Sequence, residues 1–236
     1  MKHSKVKLYK VTVPEGYTLR EIAKVLAQKG LADEKKFIKL TSDIDIIKQY
    51  KLEGNSMEGY LFPETYCFQK GTKEDEIINM MLRKFNQIAG KNNIRKLAED
   101  KYIRFYDLIK LASIVEREAE KSEERPIIAS IFLNRINKKM KLESCATIFY
   151  VLNLDPNKKK RTKLVDRDLA LNSLYNTYKN SGLTPTPICN PGIQSILAVL
   201  NPADTKYLYF VSKNDGTHEF SKTAEEHMKA KKKYQQ

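Results

Sequence analysis

Apolar and polar residues recur with two different periods along this chain, and the pattern predicts a mixed fold. LYKVTV at 8–13 predicts a short strand that a Pro-Glu-Gly turn closes. Apolar residues at 19–26 then recur at helical spacing, directly after a Thr18–Glu21 capping box. A second short helix is expected after Asp33. The N-terminal part of the chain is therefore expected to be a small strand–helix–helix module.

Further along, the pattern predicts mostly helices and a terminal hairpin. The aromatic-rich segment 59–68 is expected to be extended and to connect two modules. Helices are expected from Thr72 to about Ile88, over 104–121, from a cap at Ser122, from Asn190-Pro191 to Leu200, and from a capping box at Thr223. A polar loop is expected at 153–168, and a hairpin is expected from 207–211 and 218–220.

These elements together predict an α+β fold. We expect a small module and an extended connection at 1–70, followed by a larger α+β domain at 71–236. The 236 residues, of which 41% are hydrophobic, suffice for one large core or two modest ones.

The charge favours an anionic partner. The chain has 43 Lys and Arg against 29 Asp and Glu, a formal net charge of +14. Nucleic acid, a lipid surface or an acidic cell-wall polymer would fit, and lysine used only for solubility explains the excess equally well. No nucleic-acid-binding motif accompanies the charge, and aromatic residues are not interleaved with the lysine runs. Nucleic acid is therefore not an expected partner.

Cysteine and histidine give little support to a metal or a disulfide framework. Cys67, Cys145 and Cys189 are an odd number of widely spaced cysteines, and the three histidines lack ligand spacing. We expect no metal and no cofactor. No apolar run approaches the ~18 residues of a membrane-spanning helix, and no signal-peptide pattern opens the chain.

The stretch LASIVEREAEKSEERP at 111–126 places five glutamates directly behind an apolar run. On a helix with about 100° per residue, Glu116 lies roughly 60° from the centre of the apolar stripe, and Glu118 lies roughly 100° away. Partial burial at that edge would raise the pKa of Glu116, as a general acid requires. A structural ion pair with Lys110 or Lys121 fits the same position.

Six blocks in collinear order resemble the endolytic murein transglycosylase (YceG-like) family. They are EGYLFPETY, LASIVEREA, ERPIIASIFLNRI, MKLESCATIFYVL, YNTYKNSGLTPTPICNPG and YLYFVSKNDGTHEFS. The leading VPEGYTLREIAKVLAQKG is similar to the LysM-like module of that family. The resemblance covers nearly the whole chain.

This resemblance implies an enzyme that cleaves peptidoglycan glycan strands internally, at the MurNAc–GlcNAc β-1,4 bond, and leaves 1,6-anhydro-MurNAc ends. The catalytic glutamate of the family corresponds to Glu116 here. One carboxyl group suffices, because the 6-hydroxyl of the sugar is the nucleophile, whereas ordinary glycosidases use two carboxyl groups.

The other blocks are expected to form the substrate groove. The residues carried over as substrate-binding candidates are Glu143, Thr147, Tyr175, Asn176, Thr177 and Tyr178. Glu143 and Thr147 could instead support neighbouring residues, and composition alone favours core packing for the tyrosine pair. The chain reads GLTPTPI at 182–188 where the family commonly reads GLPPGPI, which puts the substrate contacts of that loop in question.

Family members usually carry one N-terminal transmembrane helix. The resemblance therefore implies a soluble ectodomain separated from its anchor, at the extracytoplasmic face of the bacterial cytoplasmic membrane. The implied partners are peptidoglycan glycan strands and peptidoglycan synthases, whose nascent strands the cut would end or release. A non-catalytic module that binds the wall, or serves as a scaffold, is the alternative function.

Overall fold

A two-stranded antiparallel sheet joins the two ends of the N-terminal segment. The computed structural model describes residues 7–154, 161 and 163–235. In it β1 (Leu8–Thr12) pairs with β2 (Thr65–Gln69), with Leu8 opposite Gln69. Between the strands lie α1 (Leu19–Gln28), α2 (Glu34–Thr41) and α3 (Ile44–Gln49). The predicted first strand and first two helices are confirmed.

The start of α1 has the predicted capping box. The Thr18 hydroxyl accepts from the Glu21 amide at 3.2 Å, and the Glu21 carboxylate accepts from the Thr18 amide at 3.0 Å. These contacts satisfy amides that have no partner within the helix. The apolar face of α1 is buried, as its helical period predicts, through Leu19, Ile22, Ala23 and Leu26.

Helices dominate the remainder of the chain. They are α4 (Glu74–Lys91), α5 (Ile94–Asp100), α6 (Phe105–Glu118), α7 (Arg125–Asn137), α8 (Cys145–Leu152), α9 (Asp166–Leu169), α10 (Ile193–Leu200) and α11 (Ala224–Tyr234). The predicted hairpin forms from β3 (Tyr209–Ser212) and β4 (His218–Ser221). The described residues therefore form an α+β fold of many helices and two small sheets.

The helix carrying the glutamates ends earlier than predicted. Ala119 leaves the helical region with φ −89° and ψ 115°, so Glu118 is the last residue of α6. Ser122–Glu124 then form a 3₁₀ turn, and α7 begins at Arg125 with Pro126 in its first turn, where the missing amide costs nothing. The predicted helix over 104–121 was therefore three residues too long at its C-terminal end.

Other boundaries also differ from the prediction. The helix expected at Asn190-Pro191 begins only at Ile193, because the Asn190 side chain binds other segments instead of capping α10. The helix expected from Thr72 begins at Glu74, since the Thr72 hydroxyl donates to the Gln69 carbonyl. The loop expected at 153–168 contains the start of α9, and its residues 155–160 and 162 lie outside the described part.

The core surrounds α6 and continues into the N-terminal segment. Leu108, Ile109 and Ala112 are inaccessible to solvent. Tyr60, from the connection before β2, packs edge-on against Phe85 at 5.4 Å between ring centroids. One hydrophobic cluster thus includes residues on both sides of position 70, and the division into two domains stays a prediction. In the part of the chain described, no helix has both the length and the apolar composition to cross a membrane.

Candidate active site

Glu116 lies inside the protein at the C-terminal turn of α6. Arg125 Nη2 donates to its Oε1 at 3.1 Å, and the Gly192 amide and Ser195 Oγ donate to its Oε2 at 2.9 and 2.8 Å. Its side chain is 5% exposed, and that of Arg125 is 9% exposed. Glu116 is therefore paired with an arginine from the next helix, and neither Lys110 nor Lys121 is its partner.

Glu15, from the turn after β1, approaches the same cluster. A Cβ atom at Gly192 would lie 1.8 Å from Glu15 Oε1, so only glycine leaves room for that carboxyl group. Burial raises the pKa of Glu15, and the nearby charge of Glu116 raises it further, while Arg125 opposes both effects. The N-terminal segment thus packs directly against the Glu116 cluster.

Glu118 lies on the other side of α6, at the N-terminus of α8. Its Oε1 accepts from Ser144 Oγ at 2.5 Å and from the Ala146 amide at 3.2 Å. Ser144 is the N-cap residue of α8, where the helix dipole favours a negative charge. No residue in the described ranges donates to Oε2 of Glu118, which is half-buried. One oxygen is thus fixed, and the other has no protein donor there.

Two of the predicted groove residues surround this second carboxylate. Tyr178 Oη lies 3.0 Å from Cys145 Sγ, on the residue that follows Ser144. Burial raises the pKa of Tyr178, and the charges of Glu118 and Glu143 add to that rise. Glu143 is exposed and accepts from Arg135 Nη1 at 2.9 Å. Tyr178 therefore lies within electrostatic reach of both Glu118 and Glu143, and Glu143 directly precedes Ser144, which binds Glu118.

Three other predicted groove residues are buried and bonded within the protein. Thr177 Oγ1 accepts from the Ser144 amide at 3.0 Å and bonds Thr147 Oγ1 at 3.0 Å. The Asn176 side chain donates to the carbonyls of Leu169 and Leu171 and accepts from the Tyr178 amide. These side chains fix the backbone around Ser144 and Tyr178, which in turn surrounds Glu118.

Tyr175, the remaining groove residue, contacts the loop that departs from the family pattern. Its hydroxyl lies 2.8 Å from Thr186 Oγ1, and its ring packs on Tyr150 at 5.2 Å between centroids. Thr186 occupies the position of the family's glycine without a positive φ. Thr184 donates to the Thr186 carbonyl at 2.7 Å, so the two threonines stabilise this loop from within.

A third carboxyl group, Glu58, connects the N-terminal segment to this region. It accepts from the Leu19 amide and from Asn190 Nδ2, both at 3.0 Å, and is 3% exposed. Asn190 Oδ1 also accepts from the amides of Gly59 and Leu61 at 3.0 and 2.9 Å. Burial raises the pKa of Glu58 to about 8, and this effect exceeds the lowering by its hydrogen bonds from Leu19, Tyr150 and Asn190.

Beside Glu58 opens a cavity of about 540 Å³ between α1, α2 and α8. Arg117 and Ala146 line this cavity, and both are next to Glu118. Arg117 directly precedes Glu118 in the chain, and the Ala146 amide donates to the Glu118 carboxylate. Among the residues described, no three or more His, Cys, Asp or Glu side chains gather as metal ligands do.

Sequence reasoning did not identify several members of these clusters. Arg125, Ser195, Glu15 and Glu58 come from separate segments, and only the fold brings them together. Their one signal was their position inside or just after the blocks VPEGYTL, EGYLFPETY, ERPIIASIFLNRI and YNTYKNSGLTPTPICNPG.

Comparison with known proteins assigns the class. The chain matches the YceG-like family over residues 1–233 and belongs to that family. A crystal structure of a yceG-like protein, lmo1499 from Listeria monocytogenes, has a TM-score of 0.83 and 34% sequence identity, and the match covers 95% of this chain and 76% of that one.

Two similar curated relatives carry the name endolytic murein transglycosylase. The protein of Bacillus subtilis (strain 168) is 37% identical over an alignment of 243 residues including gaps, and the match covers 96% of this chain and 65% of the relative. That of Streptococcus pneumoniae serotype 2 (strain D39 / NCTC 7466) is 30% identical over an alignment of 238 residues including gaps, and the match covers 92% of this chain and 43% of the relative. The chain thus spans between about two fifths and two thirds of their lengths.

Proposed function

We propose that this protein is an endolytic lytic transglycosylase of peptidoglycan. It would cleave the MurNAc–GlcNAc β-1,4 bond within glycan strands and leave 1,6-anhydro-MurNAc ends. The names of the relatives support this class of reaction, and the carboxylate at the meeting point of α6 and α8 supports it chemically. The observation that carries the proposal is the environment of Glu118, which has one oxygen anchored by Ser144 and Ala146.

Glu116 and Glu118 are both candidates for the proton donor. Glu116 is the residue that the family resemblance implies. Its contacts favour a structural role, because three donors surround its oxygens and little of its side chain is accessible to a glycan. Glu118 has an oxygen without a donor in the described part, and its charge acts on the groove residue Tyr178. We therefore propose Glu118 as the acid and keep Glu116 as the alternative.

In the proposed reaction, protonated Glu118 gives its proton to the glycosidic oxygen. The bond from that oxygen to C1 of MurNAc breaks, and GlcNAc leaves with a free 4-hydroxyl group. The 6-hydroxyl oxygen of the same MurNAc then bonds C1, and its proton passes to the Glu118 carboxylate. No water is consumed and the acid is regenerated. Ser144 and the N-terminus of α8 stabilise the intermediate carboxylate.

The remaining groove residues receive roles that follow from their burial. Tyr178 and Glu143 are proposed to contact the glycan, together with the accessible part of Tyr175. Thr147, Asn176 and Thr177 are proposed to hold the backbone around the acid.

The N-terminal unit is proposed to be LysM-like and to bind glycan. Its two antiparallel strands enclose helices in the order β1, α1, α2, α3 and β2, which supports a small module of this kind. The extracytoplasmic location, an N-terminal anchor, synthase partners and the release of nascent strands rest on the family resemblance alone.

Digestion of purified sacculi in water enriched in oxygen-18 tests this function. Mass spectrometry of the released fragments should find anhydro ends without oxygen-18, and internal cuts should yield long fragments early. Reducing ends that carry oxygen-18 would mean a hydrolase. Binding to sacculi without any released fragment would favour the non-catalytic scaffold.

A further inference from the structure

The cavity between α1, α2 and α8 has a lining that a neutral glycan does not require. Three cationic side chains face it, namely Arg20, Lys24 and Arg117. Glu21, Glu34 and Glu58 supply the acidic side chains. Phe149, Tyr150 and Leu154 add apolar surface. A cavity of about 540 Å³ with both charges and an apolar wall fits a short charged peptide better than an uncharged sugar.

The balance of charge favours a carboxylate-bearing ligand. Glu58 accepts three hydrogen bonds within the protein and has a pKa raised to about 8 by burial, so it is mostly neutral at pH 7. The carboxylate of Glu21 is already engaged by Thr18 at the start of α1. The cations of the lining therefore outnumber the charged acids, and guanidinium groups are well suited to bind carboxylates.

We propose that this cavity is a subsite for the stem peptide of peptidoglycan, an inference that rests on the proposed function. In peptide-bearing strands the lactyl carboxyl of MurNAc is an amide and the sugars carry no charge, so the ionised groups lie along the peptide. Removing the peptide with an amidase leaves a single lactyl carboxylate on each MurNAc. A sugar held at Glu118 has this cavity directly beside it, because Arg117 precedes Glu118 and Ala146 binds it. Arg20, Lys24 and Arg117 would bind peptide carboxylates, and the apolar wall would contact small side chains.

Cleavage of strands with and without peptides tests the inference. Wild-type protein is given intact glycan strands and strands stripped of peptides by an amidase, and the initial rates of anhydro-end formation are compared. We expect the peptide-bearing strands to be cleaved at least about 10-fold faster, as one or two charge-assisted hydrogen bonds would allow.

The Arg20→Gln, Lys24→Gln double variant should lower this rate ratio to near 1. Lys35→Gln, on the exposed side of α2 and outside the cavity, is the matched control and should keep the ratio. In a separate titration, the synthetic tetrapeptide L-Ala-γ-D-Glu-L-Lys-D-Ala should bind wild type at least about 10-fold more tightly than the double variant.

The outcomes separate the two proposals. Equal rates on both substrates, with anhydro ends formed, would overturn the peptide subsite and leave the proposed function intact. A ratio that the double variant does not change would also overturn it. Absence of anhydro ends from either substrate would instead contradict the proposed function.

Discussion

Glu116 and Glu118 stand two residues apart on the last turn of α6 and meet opposite surroundings. Glu116 points to α7 and α10, where Arg125, Ser195 and the Gly192 amide hold both of its oxygens. Glu118 points to the N-terminus of α8, where only one of its oxygens has donors among the described residues. Two glutamates on one helical turn therefore differ: Glu116 is bonded within the core, whereas Glu118 keeps an oxygen that could bind a substrate.

This difference shows that burial alone does not identify a general acid. An acid must present its proton to a substrate atom, so it needs an accessible oxygen as well as a suitable environment. Glu58 makes the same point, because it is buried and has a raised pKa, yet its contacts tie it to Leu19 and Asn190. We therefore expect substitutions on the Glu116 side of α6 to lower stability, and substitutions on the Glu118 side to lower activity.

Replacing Arg125 should have the largest effect on stability. Arg125→Ala would leave Glu116 as a buried charge without its ion-pair partner, which typically costs about 3–5 kcal/mol of the free energy of unfolding. Urea titration of the purified variant measures it. Arg104→Ala is the control, since the solvent-exposed Arg104–Glu53 pair should contribute little to stability. Equal losses in the two variants would contradict a structural role for the Glu116 cluster.

Glu58 should make stability fall as the pH rises. Its pKa in the folded protein, about 8, lies above the ordinary value of 4.5. The folded state therefore binds a proton that the unfolded state has lost, and this contribution declines by about 1.4 kcal/mol per pH unit between those values. Urea titrations at pH 5, 6, 7 and 8 measure the slope.

Glu58→Gln is the matched variant, because its neutral amide keeps the shape of the carboxyl group. Its slope over the same pH range should be shallower than that of wild type. Glu64→Gln, which changes an acid whose pKa is lowered by hydrogen bonds from Thr65 and Lys84, should keep the wild-type slope. Identical slopes in wild type and Glu58→Gln would exclude a protonated Glu58.

Local features of the fold could be predicted from the sequence, whereas the contacts between segments could not. The Thr18 capping box, the helix that follows Asp33 and the terminal hairpin each depend on neighbouring residues, and each was predicted. The start of α10 was wrong because Asn190 uses its side chain for Gly59 and Leu61, more than 100 positions earlier. A helix-cap pattern contains no information about such distant partners.

The candidate site divides in the same way. Helical phase indicated that Glu116 would lie at the edge of the apolar stripe, and the structure places it against Arg125. The helical phase of the sequence could not show that α6 ends at Glu118. It also could not show that the N-terminus of α8 would donate a hydrogen bond to that residue. Glu143, Thr147, Asn176 and Thr177 were grouped from their blocks, and only the fold separates exposed Glu143 from the three buried side chains.

The two serines that bind these carboxylates should have different effects. Ser144→Ala removes the hydroxyl donor to Glu118 and should lower the rate of anhydro-end formation by about 10-fold, with little change in Tm. Ser195→Ala removes a donor to Glu116 and should instead lower stability by about 1–2 kcal/mol. Rates on sacculi and thermal unfolding measure both. The reverse pattern would place the chemistry at Glu116.

The smallest expected difference concerns the 3₁₀ turn after α6. Glu124 accepts from the His218 amide at 3.0 Å and pairs with the His218 ring at 2.7 Å, so Glu124→Gln should cost about 1 kcal/mol. Glu123 is exposed, and Glu123→Gln should stay within about 0.5 kcal/mol of wild type. Thermal unfolding measures both, and equal shifts in Tm would argue against the link between this turn and the hairpin.

Paired glutamine variants of the two glutamates decide whether Glu118 is the proton donor. Rates of anhydro-end formation on sacculi are measured for wild type, Glu118→Gln and Glu116→Gln, each corrected for its folded fraction. We expect Glu118→Gln to lose about 10²–10⁴-fold in rate and Glu116→Gln to lose less than about 10-fold. A Glu118→Gln variant that keeps its activity, beside an inactive and folded Glu116→Gln, would contradict the claim and make Glu116 the acid.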